Sequence, residues 1–179
     1  ELTDKPFGVN MALGHRPLDA DVDVVIEEGV KVVSLSGGNP EPILKRLKPA
    51  GITVLVLVAG SKYARNAERI GADAVVAVGY EAGGHLGRDE VTTMVLVPSI
   101  VDAVKIPVIA AGGIGDARGF AAALSLGAEG ILMGTRFKAT QECIAHQKCK
   151  EMLVNAAESD TIVIDKSIGR PGRNHKGGI

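Results

Sequence analysis

His85 stands in the run Gly79-Tyr80-Glu81-Ala82-Gly83-Gly84-His85-Leu86-Gly87, directly after the apolar stretch 74–78. An imidazole titrates near neutral pH and can therefore take or give a proton there. Gly83 and Gly84 carry no Cβ, so a flat ligand can lie against the backbone with the imidazole facing it. A structural loop is the competing reading of these residues. Two more glycine segments follow apolar runs: Gly112-Gly113-Ile114-Gly115-Asp116 after 107–111, and Gly134-Thr135-Arg136 after 130–133, where Met133 closes the run. Consecutive loops without side chains offer backbone N–H groups to an anion near a helix start, and Thr135 adds a hydroxyl. Tight turns alone would account for one such loop, whereas two in succession favour phosphate.

Weaker candidates surround these. Asn10, at the end of an expected first strand, offers both a donor and an acceptor to a heterocycle, or simply caps a turn. Ser36-Gly37-Gly38-Asn39-Pro40 shapes a pocket or turns the chain. Lys62 is expected on a solvated helix, and His15, His146 and His175 lie outside the strand-end loops with no role assigned. Cys143 and Cys149, six apart in an expected helix, match neither a metal spacing nor a pair on one helical face, so both are read as unpaired, and no metal site is expected.

The elements that must position these residues alternate in kind. Nearly continuous apolar runs at 6–10, 32–36, 53–58, 74–78, 107–111 and 130–133 read as parallel strands, and amphipathic stretches at about 20–29, 40–49, 62–71, 92–104 and 116–126 read as crossover helices. One phrase occurs twice, Ile70-Gly71-Ala72-Asp73-Ala74-Val75 and Leu126-Gly127-Ala128-Glu129-Gly130-Ile131: a helix-ending glycine, then an acidic residue before the next strand. The pattern is α/β, and six βα units at this spacing fit a TIM (β/α)8 barrel. A complete barrel takes about 250 residues, so the chain is expected to be an incomplete one, lacking the first two units and the C-terminal closure. An open doubly wound sheet is the alternative, but its G-x-G-x-x-G fingerprint is absent. Residues 1–141 are read as the barrel portion. The polar stretch 142–179, without a strand–helix rhythm, is read as an appendage or part of a small second subdomain.

Composition narrows the partners. Twenty basic against 21 acidic residues leave a net charge of -1, which gathers neither nucleic acid nor an anionic membrane. No apolar run approaches the ~20 residues that span a bilayer, and no signal peptide opens the chain, so a cytoplasmic location is expected.

Five segments taken together, Gly8-Val9-Asn10, Glu81-Ala82-Gly83-Gly84-His85, Thr92-Thr93-Met94, Pro107 to Ile114, and Met133-Gly134-Thr135-Arg136-Phe137, resemble the nitronate monooxygenase family, formerly 2-nitropropane dioxygenase, which includes the FMN-dependent enoyl-acyl-carrier-protein reductase II. The resemblance runs nearly the length of the chain and implies a (β/α)8 barrel holding FMN without a covalent bond. It further implies that Asn10 contacts the flavin ring, that Gly83 and Gly84 pass close to it, that Gly112, Gly113, Met133, Gly134 and Thr135 line the cofactor and its phosphate, and that His85 is the catalytic imidazole. The implied activity is oxidation of an alkyl nitronate with O2. The alternative is reduction of an enoyl thioester with NAD(P)H as electron donor. Two departures stand against the family pattern: its opening strand and glycine–methionine segment have no counterpart, and Val78 occupies a position where members often carry Gln or Glu. An incomplete barrel also admits a reading of another class, an inactive fragment whose open edge drives association as a homodimer.

Overall fold

Residues 3–14 and 16–177 are described by a computed structural model of the chain. Six strands form one parallel sheet in sequential order: β1 Gly8–Ala12, β2 Val32–Ser36, β3 Thr53–Val58, β4 Ala74–Val78, β6 Val108–Ala111 and β7 Gly130–Leu132. The helices between them are α1 Asp19–Glu27, α2 Glu41–Leu47, α3 Ser61–Arg69, α4 Thr93–Val101 and α5 Ala117–Ser125, each matching an amphipathic stretch of the sequence. A two-residue strand, β5 Gly84–His85, interrupts the connection from β4 to α4.

Alternation along each strand decides which face meets the helices. Met11, Val33, Leu35, Val54, Val56, Val75, Ala77, Val108 and Ala110 point to one face and join Val22, Leu44, Leu47, Ala64, Leu96, Val97 and Ile100 from the helices in a single buried core. Leu35, Leu47, Leu96 and Ile100 are essentially inaccessible, each contributing about 1.5–3 kcal/mol relative to an exposed position. The helices thus cover one face only, whereas a doubly wound sheet carries them on both. The sheet is the curled arc of a TIM barrel, and its other face, with Asn10, Ser34, Leu55, Leu57 and Val76, is the inner one.

The repeated phrase has a shared geometry. Gly71 and Gly127 take φ of 95° and 93°, where a side chain would strain the turn. Just beyond them, Asp73 N–H donates to Val54 O at 2.9 Å and Glu129 N–H to Val108 O at 2.8 Å, so each acidic residue enters the ladder in the same way.

Several expectations shift. The first strand runs from Gly8 to Ala12 instead of 6–10, because it pairs with β2 from Gly8↔Val32 to Ala12↔Ser36, and Leu13 N–H prolongs the ladder to Ser36 O. Asn10 therefore sits mid-strand, not at its end. Cys143 and Cys149 do not share a helix: α7 (Gln147–Asn155) holds Cys149 alone, and both thiols are free. The stretch after Glu142, read as an appendage or part of a small second subdomain, carries a helix and two strands. After a short α6 (Thr135–Lys138), α7 (Gln147–Asn155) leads into an antiparallel hairpin, β8 Thr161–Ile164 with β9 Gly172–His175, and β9 also pairs with β5. Thr161-Ile162-Val163-Ile164 is β-branched and readable as a strand, but Gly172-Arg173-Asn174-His175 is held by backbone pairing and shows no apolar pattern. Among the described residues, no helix is long and apolar enough to cross a membrane.

Candidate functional site

The ladder sets the site. Val78 pairs with Ala111 and Ala111 with Leu132, so the loops leaving β4, β6 and β7 emerge side by side at the C-terminal end of the sheet. Topology alone makes the histidine loop a neighbour of the first glycine loop, and that glycine loop a neighbour of the second.

The histidine loop is fastened on two sides. At its start, Gly79 N–H continues the ladder to Ala111 O (2.9 Å), Ala82 N–H closes a turn on Gly79 O (3.0 Å), and Tyr80 N–H reaches Val91 O (2.9 Å). A methyl group on Gly79 would come within 2.6 Å of Thr93 N, so only glycine lets β4 run this close to the start of α4. The Glu81 carboxylate accepts from Thr93 N–H (2.9 and 3.2 Å) and from the Thr93 hydroxyl (2.8 Å), capping α4 from the loop. On the other side, Gly84 and His85 pair with Arg173 and Gly172 of β9, and Leu86 N–H donates to Pro171 O at 2.9 Å. The Arg173 guanidinium donates to Tyr80 O (2.9 and 3.3 Å) and to Thr161 Oγ1 (3.0 Å). It also lies 5.2 Å from the Tyr80 ring centre, within cation–π range, as does Lys166 at 5.6 Å. Lys166 is paired with Glu90 at 2.5 Å. The C-terminal hairpin therefore holds the segment that carries the exposed imidazole.

The glycine loops are joined to this framework and to each other. Gly112 and Gly113 adopt φ of 105° and 70°, and Gly112 O accepts from the Thr93 hydroxyl at 2.9 Å. Arg136 Nε donates to Gly115 O at 2.6 Å, bridging the loops after β6 and β7. Asp116 caps α5, accepting from Arg118 N–H (2.9 Å) and Gly119 N–H (3.4 Å). The Arg118 side chain first, and Gly119 N–H next, hold its carboxyl down to about 2. A carboxylate thus already occupies the first turn of α5.

The other glycines separate by cause. Gly84 needs its φ of 76°. Gly83 and Gly134 have neither a left-handed φ nor any atom within 4 Å of an added Cβ, so nothing among the described residues requires glycine at either position. They expose bare backbone beside His85 and beside Thr135.

The structure gathers His85, Gly83, Gly84, Gly112, Gly113, Met133, Gly134 and Thr135 onto three adjacent strand ends. Asn10 stands apart, with β2 and β3 between its strand and β4. Its Oδ1 accepts from Ser34 Oγ at 2.8 Å and its Nδ2 donates to Ser36 Oγ at 3.5 Å, which makes a polar patch on the inner face. Lys62 is exposed on α3. His146 caps α7 through Nδ1, His175 Nδ1 accepts from Gly177 N–H, and His15 lies outside the described residues. No cluster of His, Cys, Asp or Glu among the described residues could hold a metal ion. Glu81, Thr93, Arg136 and Arg173 escape a sequence reading as parts of the site. A threonine inside an otherwise apolar helix start is a usable signal for Thr93; Arg173 gives none, since it bonds to a backbone carbonyl 93 residues away.

The sequence matches the nitronate monooxygenase family over residues 1–179. It is 43% identical over 172 residues to (3aS,4S,5R,7aS)-5-hydroxy-7a-methyl-1-oxo-octahydro-1H-indene-4-carboxyl-CoA dehydrogenase of Rhodococcus jostii, covering 96% of this chain and 48% of that protein. Identity to a probable nitronate monooxygenase of Staphylococcus saprophyticus is 41% over 175 residues, covering 92% and 49%. Among solved structures, FabK from Thermotoga maritima superposes with a TM-score of 0.92 at 51% identity, covering 97% of this chain and 55% of that one. Nitroalkane oxidase from Streptomyces ansochromogenes gives 0.84 at 30% identity, covering 97% and 62%. The chain spans about half the length of the two sequence relatives.

Proposed function

Because the chain belongs to the nitronate monooxygenase family, we propose that it carries the cofactor-holding part of an FMN-dependent oxidoreductase that oxidises alkyl nitronates with O2. The observation that carries this reading is the convergence of His85 with two glycine loops on adjacent strand ends, where Gly83 and Gly134 leave backbone bare for no reason internal to the fold. These residues fit the cofactor. Gly112, Gly113, Gly134 and Thr135 would hold its phosphate, with Arg136 bringing a guanidinium between the two loops, and Gly83, Gly84 and Met133 would border its ring. Asn10 is the outlying member, offered from the inner face. FMN, when bound, would supply the two-electron chemistry of the reaction.

The protein's own part is proton handling and orientation. When a neutral nitroalkane is the substrate, a ring nitrogen of His85 takes the proton from the carbon bearing the nitro group and leaves the nitronate. The pairing of β5 with β9 and the Glu81–Thr93 bonds keep the imidazole at the strand end while this happens.

A second reading shares the site. The relative from Rhodococcus jostii is named for a carboxyl-CoA compound, which favours a thioester substrate, and the second reading is reduction of an enoyl thioester with NAD(P)H as electron donor. In that chemistry His85 returns a proton to the α-carbon of the thioester. Assays of nitronate-dependent O2 uptake and of enoyl-thioester-dependent NAD(P)H oxidation separate the two. In whichever assay is positive, His85→Ala should lower turnover by roughly 10²–10⁴-fold, as for loss of a general acid or base, and leave FMN affinity unchanged. Unchanged turnover would remove His85 from the reaction.

A further inference from the structure

Three chain segments crowd the first residue of α4. Thr93 is a polar residue buried to 9% exposure, and its hydroxyl lies 2.8 Å from Glu81 Oε2 and 2.9 Å from Gly112 O. A methyl at Gly112 would stand 3.0 Å from that hydroxyl and from Gly79 O, and 3.2 Å from Ala82 N. One at Gly79 would press within 2.6 Å of Thr93 N. The end of β4, the turn that begins the histidine loop and the end of β6 all meet here with no space for a Cβ.

A hydroxyl has one proton, and here it faces two acceptors. It can serve Glu81, on the histidine loop, or Gly112, on the first glycine loop. The second bond has a directional consequence. In a planar trans peptide the C=O and the following N–H point in opposite directions, so drawing Gly112 O toward Thr93 turns the N–H of Gly113 away from α4. Gly113 N–H is one of the donors that the FMN reading assigns to the phosphate.

We infer that Thr93 and Glu81 are positioning residues that couple the histidine loop to the phosphate loop: the Thr93 hydroxyl aims the Gly113 N–H, and Glu81 competes for that hydroxyl while capping α4. The inference rests on the FMN reading for its ligand, but its geometry belongs to the protein alone. Thr93→Val keeps the shape and removes the hydroxyl, Thr93→Ser keeps the hydroxyl, and Glu81→Ala frees the hydroxyl for Gly112.

The test compares FMN with riboflavin, which lacks the phosphate, by quenching of flavin fluorescence on the whole chain. Thr93→Val should reduce the preference for FMN over riboflavin about tenfold, the loss expected when one buried hydrogen bond is missing. Thr93→Ser and Glu81→Ala should keep that preference at or above the wild-type value. Equal weakening of both flavins by Thr93→Val, or an unchanged ratio, overturns the inference; so does loss of the preference in Glu81→Ala, which reads the coupling even if the valine variant does not fold. A wild-type chain that binds neither flavin sinks the FMN reading and not the coupling. Amide exchange on the flavin-free protein then decides: Thr93→Val should speed exchange in both 79–82 and 112–115, and acceleration confined to 79–82 refutes the coupling.

Discussion

Replacing Gly83 by alanine separates what the fold needs from what the ligand needs. The added methyl meets no atom within 4 Å, and the φ of Gly83 lies outside the left-handed region. Stability should therefore stay within about 0.5 kcal/mol of wild type, or rise slightly because alanine restricts the unfolded chain. If the flavin ring lies against this backbone, the same methyl must push into it. Overpacking of that kind costs about 1–3 kcal/mol, which is roughly a 5- to 150-fold rise in Kd. Gly79→Ala is the contrasting control, since its methyl would press on Thr93 N at 2.6 Å and Thr93 Cα at 2.7 Å, both backbone atoms that cannot swing aside. That variant should lose about 1–3 kcal/mol of stability. Urea unfolding and flavin titration on both proteins provide the assay. Gly83→Ala binding FMN as tightly as wild type would refute the reasoning, because the bare backbone would then have no ligand to explain it.

Three other perturbations probe the supports. Arg173→Ala removes the charge-assisted bonds to Tyr80 O, each worth about 1.5–3 kcal/mol, so exchange of the Leu86 amide should accelerate at least about tenfold by hydrogen-exchange mass spectrometry; an unchanged rate would show that the hairpin does not hold the histidine loop. Asp116 has a folded pKa of about 2, below its ordinary value of 3.8. Its contribution to the α5 cap is therefore complete above 3.8 and lost as pH falls through about 2, which carboxyl NMR shifts and α5 amide exchange between pH 5 and 1.5 should trace. Leu96→Ala, at a site 2% exposed, should cost about 2–5 kcal/mol in urea unfolding; a smaller loss would mean that α4 packs less tightly than its burial indicates.

Much of the frame is legible in the sequence because hydrophobic period and helix-ending glycines are local signals. The runs 32–36, 53–58 and 74–78 coincide with β2, β3 and β4, and the phrase repeated at Gly71 and Gly127 marks two equivalent helix-to-strand turns. The first strand is displaced by two residues because Met11 and Leu13 extend the buried alternation past Asn10, a register that only pairing with β2 fixes. The candidate site's glycines and histidine can be picked out together, since strand-end loops of a parallel barrel are known positions for chemistry and those loops leave adjacent strands. What holds those loops is hidden. Arg173 acts on a carbonyl from the far end of the chain, β9 is recruited by backbone pairing and by that one side chain, and Glu81 reads as a motif letter until its carboxylate is seen on Thr93.

The central claim, that this chain builds a flavin site beside His85, is tested most directly by the visible absorption spectrum of the purified protein, with its intact mass confirmed, after addition of FMN and removal of excess. The account predicts flavin bands near one equivalent per chain, retained through desalting. A full-length chain that retains no flavin would contradict it.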